Sequence, residues 1–153
     1  MMYLDSSIIV KLLVDEPETK ALVTALVGQP LSSCELAIPE VRSALFGKER
    51  EKRISKPQRE AAWRLFLDRV RSEEIELYPL SSTTLSKAAQ VMEQCHPAVA
   101  LRTLDAIHTA ACDLSQDFPL CTTDKRMRDA AGVLGIPLFP ADENAVRITK
   151  RLA

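Results

Sequence analysis

The chain has 153 residues, of which 46% are hydrophobic and 27% are charged, and its formal net charge is −1. This length and composition fit one soluble globular domain with a sizeable core. No apolar run approaches the roughly 18 residues of a membrane span, and charged residues interrupt the only apolar stretch near the N-terminus, so a signal peptide is not expected. We therefore expect a single domain over residues 1–153, located in the cytoplasm.

The first elements of the chain alternate between strand and helix. The apolar run at residues 2–5 predicts a short buried strand, and Ser6 or Ser7 can cap a helix directly after it. Pro17 is expected to end that helix. A second helix is predicted over residues 18–27.

The middle of the chain is rich in helix. A weak second strand is predicted at residues 31–34, and Pro39 suits the first turn of the next helix because its missing N–H would have no partner there. That helix extends to Gly47 or beyond. Another helix follows Pro57, where apolar side chains recur along one face, namely Trp63, Phe66, Leu67 and Val70. Burial in the core is the favoured interpretation of this face.

The C-terminal part repeats the alternation. Strands are predicted at residues 75–80, 118–123 and 136–139. Helices are predicted at residues 81–95, 103–114 and 124–134, and the tail after Pro140 should form a surface turn or helix. Alternating strands and helices favour a mostly parallel sheet that is covered on both faces. The expected fold class is therefore α/β, a three-layer α/β/α sandwich with about five strands.

Acidic and basic residues are segregated along the chain. Residues 42–71 contain ten Lys or Arg and four Asp or Glu, a net charge of +6, so the remainder carries −7 of the overall −1. The near-neutral total conceals this separation.

The four cysteines, Cys34, Cys95, Cys112 and Cys121, form no Cys-x-x-Cys pair, which disfavours a zinc ribbon. Free buried thiols are the expected state, because disulfides conflict with a reducing cytoplasm.

Four acidic residues stand near the predicted starts of helices. Asp5 and Asp124 follow strands and precede helices, where aspartate is a good N-cap. Glu40 and Asp105 fall in first turns, where negative charge favours the helix dipole. Each acid alone therefore has a structural explanation. Together they should meet at the carboxyl edge of a parallel sheet, which is where open α/β sheets bind ligands.

Carboxylates that converge repel one another unless positive charge neutralises them. Mg²⁺ and Mn²⁺ prefer oxygen ligands, and such a site can activate water and stabilise charge on a phosphate. The residues thus predict a metal site formed by Asp5, Glu40, Asp105 and Asp124.

Four segments resemble, in order and context, the motifs of the PIN-domain nucleases. They are Tyr-Leu-Asp-Ser-Ser-Ile-Ile-Val at residues 3–10, the segment at 33–45, Leu-Arg-Thr-Leu-Asp-Ala-Ile-His-Thr-Ala at 101–110, and Thr-Thr-Asp-Lys-Arg-Met at 122–127. The acids of these motifs fall on Asp5, Glu40, Asp105 and Asp124. Pro39 before Glu40 is less usual, and Glu35 is an alternative acid for the second motif.

Size and a helix-rich middle make the chain similar to the VapC toxins of bacterial toxin–antitoxin pairs. The resemblance implies a PIN-like fold and an endoribonuclease that depends on Mg²⁺ or Mn²⁺ and often cleaves structured RNA such as tRNA. It also implies a homodimer that a small antitoxin protein inhibits.

Several neighbours of the acids have two possible roles. Ser6, Ser7 and Thr122 can orient Asp5 or bound water, although helix capping explains them equally well. Arg102 could contact phosphate or pair with an acid. His108 lies one turn after Asp105, but hard cations do not need imidazole, which favours a packed or exposed histidine. The candidate RNA contacts are Arg42, Lys48, Lys52, Arg53, Lys56 and Arg102.

Two other classes of function are weighed against a nuclease. A receiver-like signalling domain also has an acidic Mg²⁺ pocket, but it needs an acid at the end of its third strand, where this chain has Leu-Tyr-Pro-Leu at residues 77–80. A PIN-like module that binds RNA or protein without catalysis is the second alternative. All four motif acids are present, which favours the enzyme.

Overall fold

A five-stranded sheet forms the centre of the molecule, in a computed structural model that describes residues 1–16 and 19–141. Its strands are β1 (Met2–Leu4), β2 (Leu31–Cys34), β3 (Ile75–Tyr78), β4 (Leu120–Cys121) and β5 (Leu138–Phe139). They are ordered β3-β2-β1-β4-β5, and every adjacent pair is parallel. The predicted parallel sheet of about five strands is therefore confirmed.

Helices connect these strands. Those in the described residues are α1 (Ser6–Leu13), α2 (Lys20–Leu26), α3 (Ala37–Arg50), α4 (Lys56–Arg71), α5 (Ser82–Cys95), α6 (Thr103–Ser115) and α7 (Lys125–Leu134). Within the same residues, no helix has both the length and the apolar character needed to cross a membrane.

The helices pack as two layers, one on each face of the sheet. Apolar side chains of α5, α6 and α7 form one cluster with Tyr3 and Leu120. Those of α1 to α4 form a second cluster with Leu4, Ile75 and Cys121 on the opposite face. Successive strand residues point to opposite faces, which is why neighbours such as Tyr3 and Leu4 enter different clusters. The three-layer α/β/α sandwich is thus confirmed.

Three strands, β3, β4 and β5, are shorter than predicted. β3 ends at Tyr78 rather than at residue 80, and β4 covers two residues instead of six. Pro119 has no N–H to donate, and Thr122 lies beyond the strand although its N–H still donates to the Phe139 carbonyl at 3.1 Å. β5 begins at Leu138 rather than at residue 136, because the Ile136 N–H bonds to the Ala131 carbonyl at the end of α7.

The boundaries of the first two helices also differ from the predictions. Asp5 caps α1, so the prediction that Ser6 or Ser7 does so was wrong. The helix ends at Leu13, and Pro17 lies outside the described residues. α2 begins at Lys20, and residue 18 and the tail from residue 142 also lie outside the description.

The core predictions that the described residues can test agree with the structure. Phe66 is completely buried and Trp63 is half-buried beside it, with ring centroids 5.5 Å apart. All four cysteines are free and buried.

Candidate active site

Asp5 anchors the carboxyl edge of the central strand. It follows β1 in extended conformation and caps α1, because its Oδ1 accepts the Ile8 N–H at 2.9 Å and the Ser7 hydroxyl at 2.8 Å. Its Oδ2 accepts the Thr122 hydroxyl at 2.5 Å. The side chain is therefore held in one orientation, and the residue is only 4% exposed.

Thr122 joins Asp5 to Asp124. Strands β1 and β4 are neighbours, so the residues after them meet at one edge. The Thr122 hydroxyl donates to Asp5 and accepts the Asp124 N–H at 3.0 Å. Asp124 in turn caps α7, because its Oδ1 accepts the Met127 N–H at 2.9 Å.

Arg102 pairs with two of the acids and lies within electrostatic range of a third. Its guanidinium contacts Asp105 at 2.7 Å and Asp124 at 3.4 Å. It also lies close enough to Glu40 to help lower the pKa of that carboxyl. The sequence left two roles open for Arg102, contact with phosphate or pairing with an acid, and in the structure it pairs with acids. Its side chain remains 60% exposed.

Glu40 is held by two donors. Its Oε1 accepts the Ser6 hydroxyl at 2.7 Å and faces His108 Nε2 at 2.6 Å. Burial alone would raise the pKa of Glu40, but the hydrogen bond and positive charge of His108 lower it below its ordinary value. Ser6 therefore contacts Glu40, whereas Ser7 and Thr122 contact Asp5.

His108 is a buried partner of the site. Burial would lower its pKa, but the hydrogen bonds with Cys34 and Glu40 raise that pKa to about 10. The same contact lowers the pKa of Cys34 against the opposing effect of burial. In the sequence, the position of His108 one helical turn after Asp105 indicated that it could lie near the acids. It could not indicate that Glu40 is the partner of His108, because the two residues are 68 positions apart.

Glu35 points elsewhere. Its Oε2 accepts the Leu80 N–H at 3.0 Å, beyond the end of β3. Among residues 1–16 and 19–141, no three His, Cys, Asp or Glu side chains lie in positions that could hold a metal ion. The guanidinium of Arg102 contacts both Asp105 and Asp124 in this arrangement. The oxygen donors themselves match what Mg²⁺ and Mn²⁺ prefer.

The candidate RNA contacts other than Arg102 are not equally free. Lys48 forms an ion pair with Glu16 at 2.6 Å. Arg42 stacks over Trp63 and Phe46, with its guanidinium carbon 4.7 and 5.1 Å from the ring centroids. The side chains best exposed for a polyanion follow the end of α3, and they are Lys52, Arg53 and Lys56. Arg53 and Lys56 also contact nearby glutamates, at 3.3 and 4.0 Å.

Comparisons with known proteins agree with this architecture. The family model of the PIN domain matches residues 2–133. The chain is 42% identical to "Ribonuclease VapC46" of Mycobacterium tuberculosis over 140 residues, which covers 90% of this chain and 95% of that protein. The crystal structure of FitAcB from Neisseria gonorrhoeae has a similar fold, with a TM-score of 0.61 at 15% identity, covering 91% of this chain and 96% of that one. The chain therefore belongs to the PIN-domain family and, within it, to the VapC-type toxins.

Proposed function

We propose that this VapC-type protein is an endoribonuclease that cleaves RNA at the edge formed by Asp5, Glu40, Asp105 and Asp124, with the help of a divalent metal. The single observation that carries this proposal is Arg102, which contacts Asp105 and Asp124 and lies near Glu40. Two carboxylates that contact one side-chain cation, with a third close enough to feel its charge, form a place where positive charge is favoured.

The donor set favours Mg²⁺ or Mn²⁺ over softer metals. The ligands would be carboxylate oxygens of the four acids named above. The hydroxyls of Thr122 and Ser7 would orient Asp5, and the hydroxyl of Ser6 would orient Glu40. When bound, such an ion lowers the pKa of water and offsets negative charge on the scissile phosphate.

The chain's own residues would prepare that chemistry. Asp5 is fixed by three donors and cannot turn away from the edge. Arg102 is more than half exposed, so it can leave Asp105 and Asp124 and contact a phosphate of the substrate. Lys52, Arg53 and Lys56 would bind further phosphates as the strand approaches.

Membership of the VapC-type toxins supports the proposals for substrate and partners. Structured RNA such as tRNA is the proposed substrate, and a small antitoxin protein is the proposed inhibitor. A homodimer is the proposed assembly, and exposed leucines such as Leu85 and Leu114 offer apolar surface for contacts between proteins. An enzyme that cuts cellular RNA, with four free thiols, suits the reducing cytoplasm.

Cleavage of purified RNA tests the nuclease proposal. Wild-type protein should cut RNA with Mn²⁺ or Mg²⁺ and stop in EDTA, and Asp105→Asn should reduce cleavage to background. Asp113→Asn is the matched control. It also removes an acid from α6, but Asp113 pairs with Lys87 and is not one of the four acids. Cleavage in EDTA, or by Asp105→Asn at the wild-type rate, would contradict the proposal. A folded protein that binds RNA but cuts with neither metal would be the non-catalytic alternative.

A further inference from the structure

His108 stands on α6 behind the four acids, and its residue is 2% exposed. Its neighbours on that helix are mostly apolar, with Ala106, Ile107, Ala110 and Ala111 in the core. A buried imidazole costs free energy unless both nitrogens have partners, so an aliphatic side chain would serve packing alone more simply.

Both ring nitrogens have partners. Nδ1 lies 2.9 Å from the Tyr3 hydroxyl, and Nε2 lies 2.6 Å from Glu40 Oε1 and 3.0 Å from the Ser6 hydroxyl. The Nε2–H donates to Glu40 whether the ring is neutral or charged, because the Tyr3 hydroxyl can donate to Nδ1 or accept from it. The contact with Glu40 is thus independent of how the ring titrates.

These contacts divide the two oxygens of Glu40 between different tasks. Oε1 is occupied by His108 and Ser6, whereas Oε2 has no hydrogen-bond partner in the described part of the chain. The side chain is 24% exposed, so its free oxygen can reach solvent or a ligand. A glutamate has three rotatable bonds, and fixing one of its oxygens restricts where the other can lie.

We propose that His108 is a positioning residue of the nuclease site, which with Tyr3 behind it holds Glu40 so that Oε2 faces the place of the divalent cation. This inference rests on the proposed function, because it assigns His108 a role toward the metal that the acids would bind. Partners behind metal ligands commonly change metal affinity by about 10–100-fold.

Two substitutions of similar size separate positioning from packing. The amide nitrogen of His108→Gln reaches about as far as Nε2, so it keeps a donor for Glu40. His108→Asn is shorter and keeps a donor only near Nδ1, on the Tyr3 side. In a calorimetric titration, His108→Gln should bind Mn²⁺ with nearly the wild-type affinity. His108→Asn should bind Mn²⁺ roughly tenfold more weakly than wild type, or weaker still. Cys112→Ala, also buried on α6, is the control for general loosening of the helix and should bind Mn²⁺ normally.

RNA cleavage and a double mutant test the positioning role in two further ways. In RNA cleavage, His108→Asn should lower kcat and leave KM unchanged. In a Glu40→Gln background it should have no further effect on Mn²⁺ affinity, because the side chain it positions is already disabled. If both histidine variants fail to fold, Tyr3→Phe, which removes only a hydroxyl, should weaken Mn²⁺ binding measurably.

Two outcomes contradict different claims. Wild-type protein that binds no Mn²⁺ would overturn the proposed metal site itself. Wild-type protein that binds Mn²⁺, with His108→Asn or Tyr3→Phe binding it equally well, would overturn the positioning role alone.

Discussion

Thr122→Val should destabilise the protein by removing one hydroxyl. Thr122 is completely buried, and its hydroxyl donates to Asp5 and accepts the N–H of Asp124. Valine keeps the shape but satisfies neither group. A hydrogen bond to a charged group contributes about 1.5–3 kcal/mol and a neutral one about 1 kcal/mol, so the expected loss is about 2–4 kcal/mol.

Melting curves measure this loss. For a chain of this size, 1 kcal/mol corresponds to about 2–4 °C, so Thr122→Val should lower Tm by roughly 5–15 °C. Thr122→Ser is the control, because it keeps the hydroxyl and removes only a buried methyl group, at a cost of about 1 kcal/mol. If Thr122→Val melts like wild type, or above Thr122→Ser, the hydroxyl does not hold the two acids.

Three other predictions concern charge. Neutralising Lys52, Arg53 and Lys56 together should weaken RNA binding and flatten its dependence on salt while Mn²⁺ affinity stays constant; an unchanged salt slope would make them ordinary surface residues. The folded-state pKa of His108 is raised to about 10, so its contribution to stability is complete below its ordinary pKa near 6.5 and is lost as pH rises through 10. The stability difference between wild type and His108→Gln should therefore shrink between pH 7 and pH 10, and a difference that grows would refute the assignment. Arg102→Ala should change the unfolding free energy by less than about 1 kcal/mol, since the Arg102 side chain is 60% exposed and its pairing is screened by water, but it should strengthen Mn²⁺ binding. Weaker Mn²⁺ binding would mean that the guanidinium does not compete with the ion.

The overall fold could be predicted because its signals are local. The apolar run in β1, the periodic face of α4 and the stop at Gly135 each depend on a few neighbouring residues. Gly135 adopts a left-handed conformation, with φ of 71°, that closes α7 where the sequence predicted. Strands β3, β4 and β5 were predicted too long, because the length of a strand depends on pairing partners that local patterns do not identify.

The candidate site could be predicted only in part. Asp5 and Asp124 follow neighbouring strands of a parallel sheet, and topology alone brings such positions to one edge. Contacts between distant side chains carry no such signal. The link from His108 to Glu40 and the ion pair of Lys48 with Glu16 both depend on how helices pack, and the second reduces the free positive charge of the basic stretch.

The burial of Asp117 could not be predicted from the sequence either. Asp117 precedes β4 and accepts the hydroxyls of Ser32 at 2.7 Å and Tyr78 at 2.6 Å. These hydrogen bonds connect β2 and β3 to the segment that precedes β4. In the sequence it is an acid in a predicted loop, and nothing nearby distinguishes it from an exposed residue.

The central claim is that the four acids form a cation site and do more than cap helices. Melting curves of wild type and Asp124→Asn, each in EDTA and in Mn²⁺, test it most directly, because asparagine preserves the cap on α7. The two proteins should melt similarly in EDTA. Mn²⁺ at about 100 times its Kd should stabilise wild type by about 2.7 kcal/mol, or roughly 5–10 °C, and Asp124→Asn much less. An Asp124→Asn protein that melts clearly below wild type in EDTA, with no effect of Mn²⁺ on either, would contradict the account.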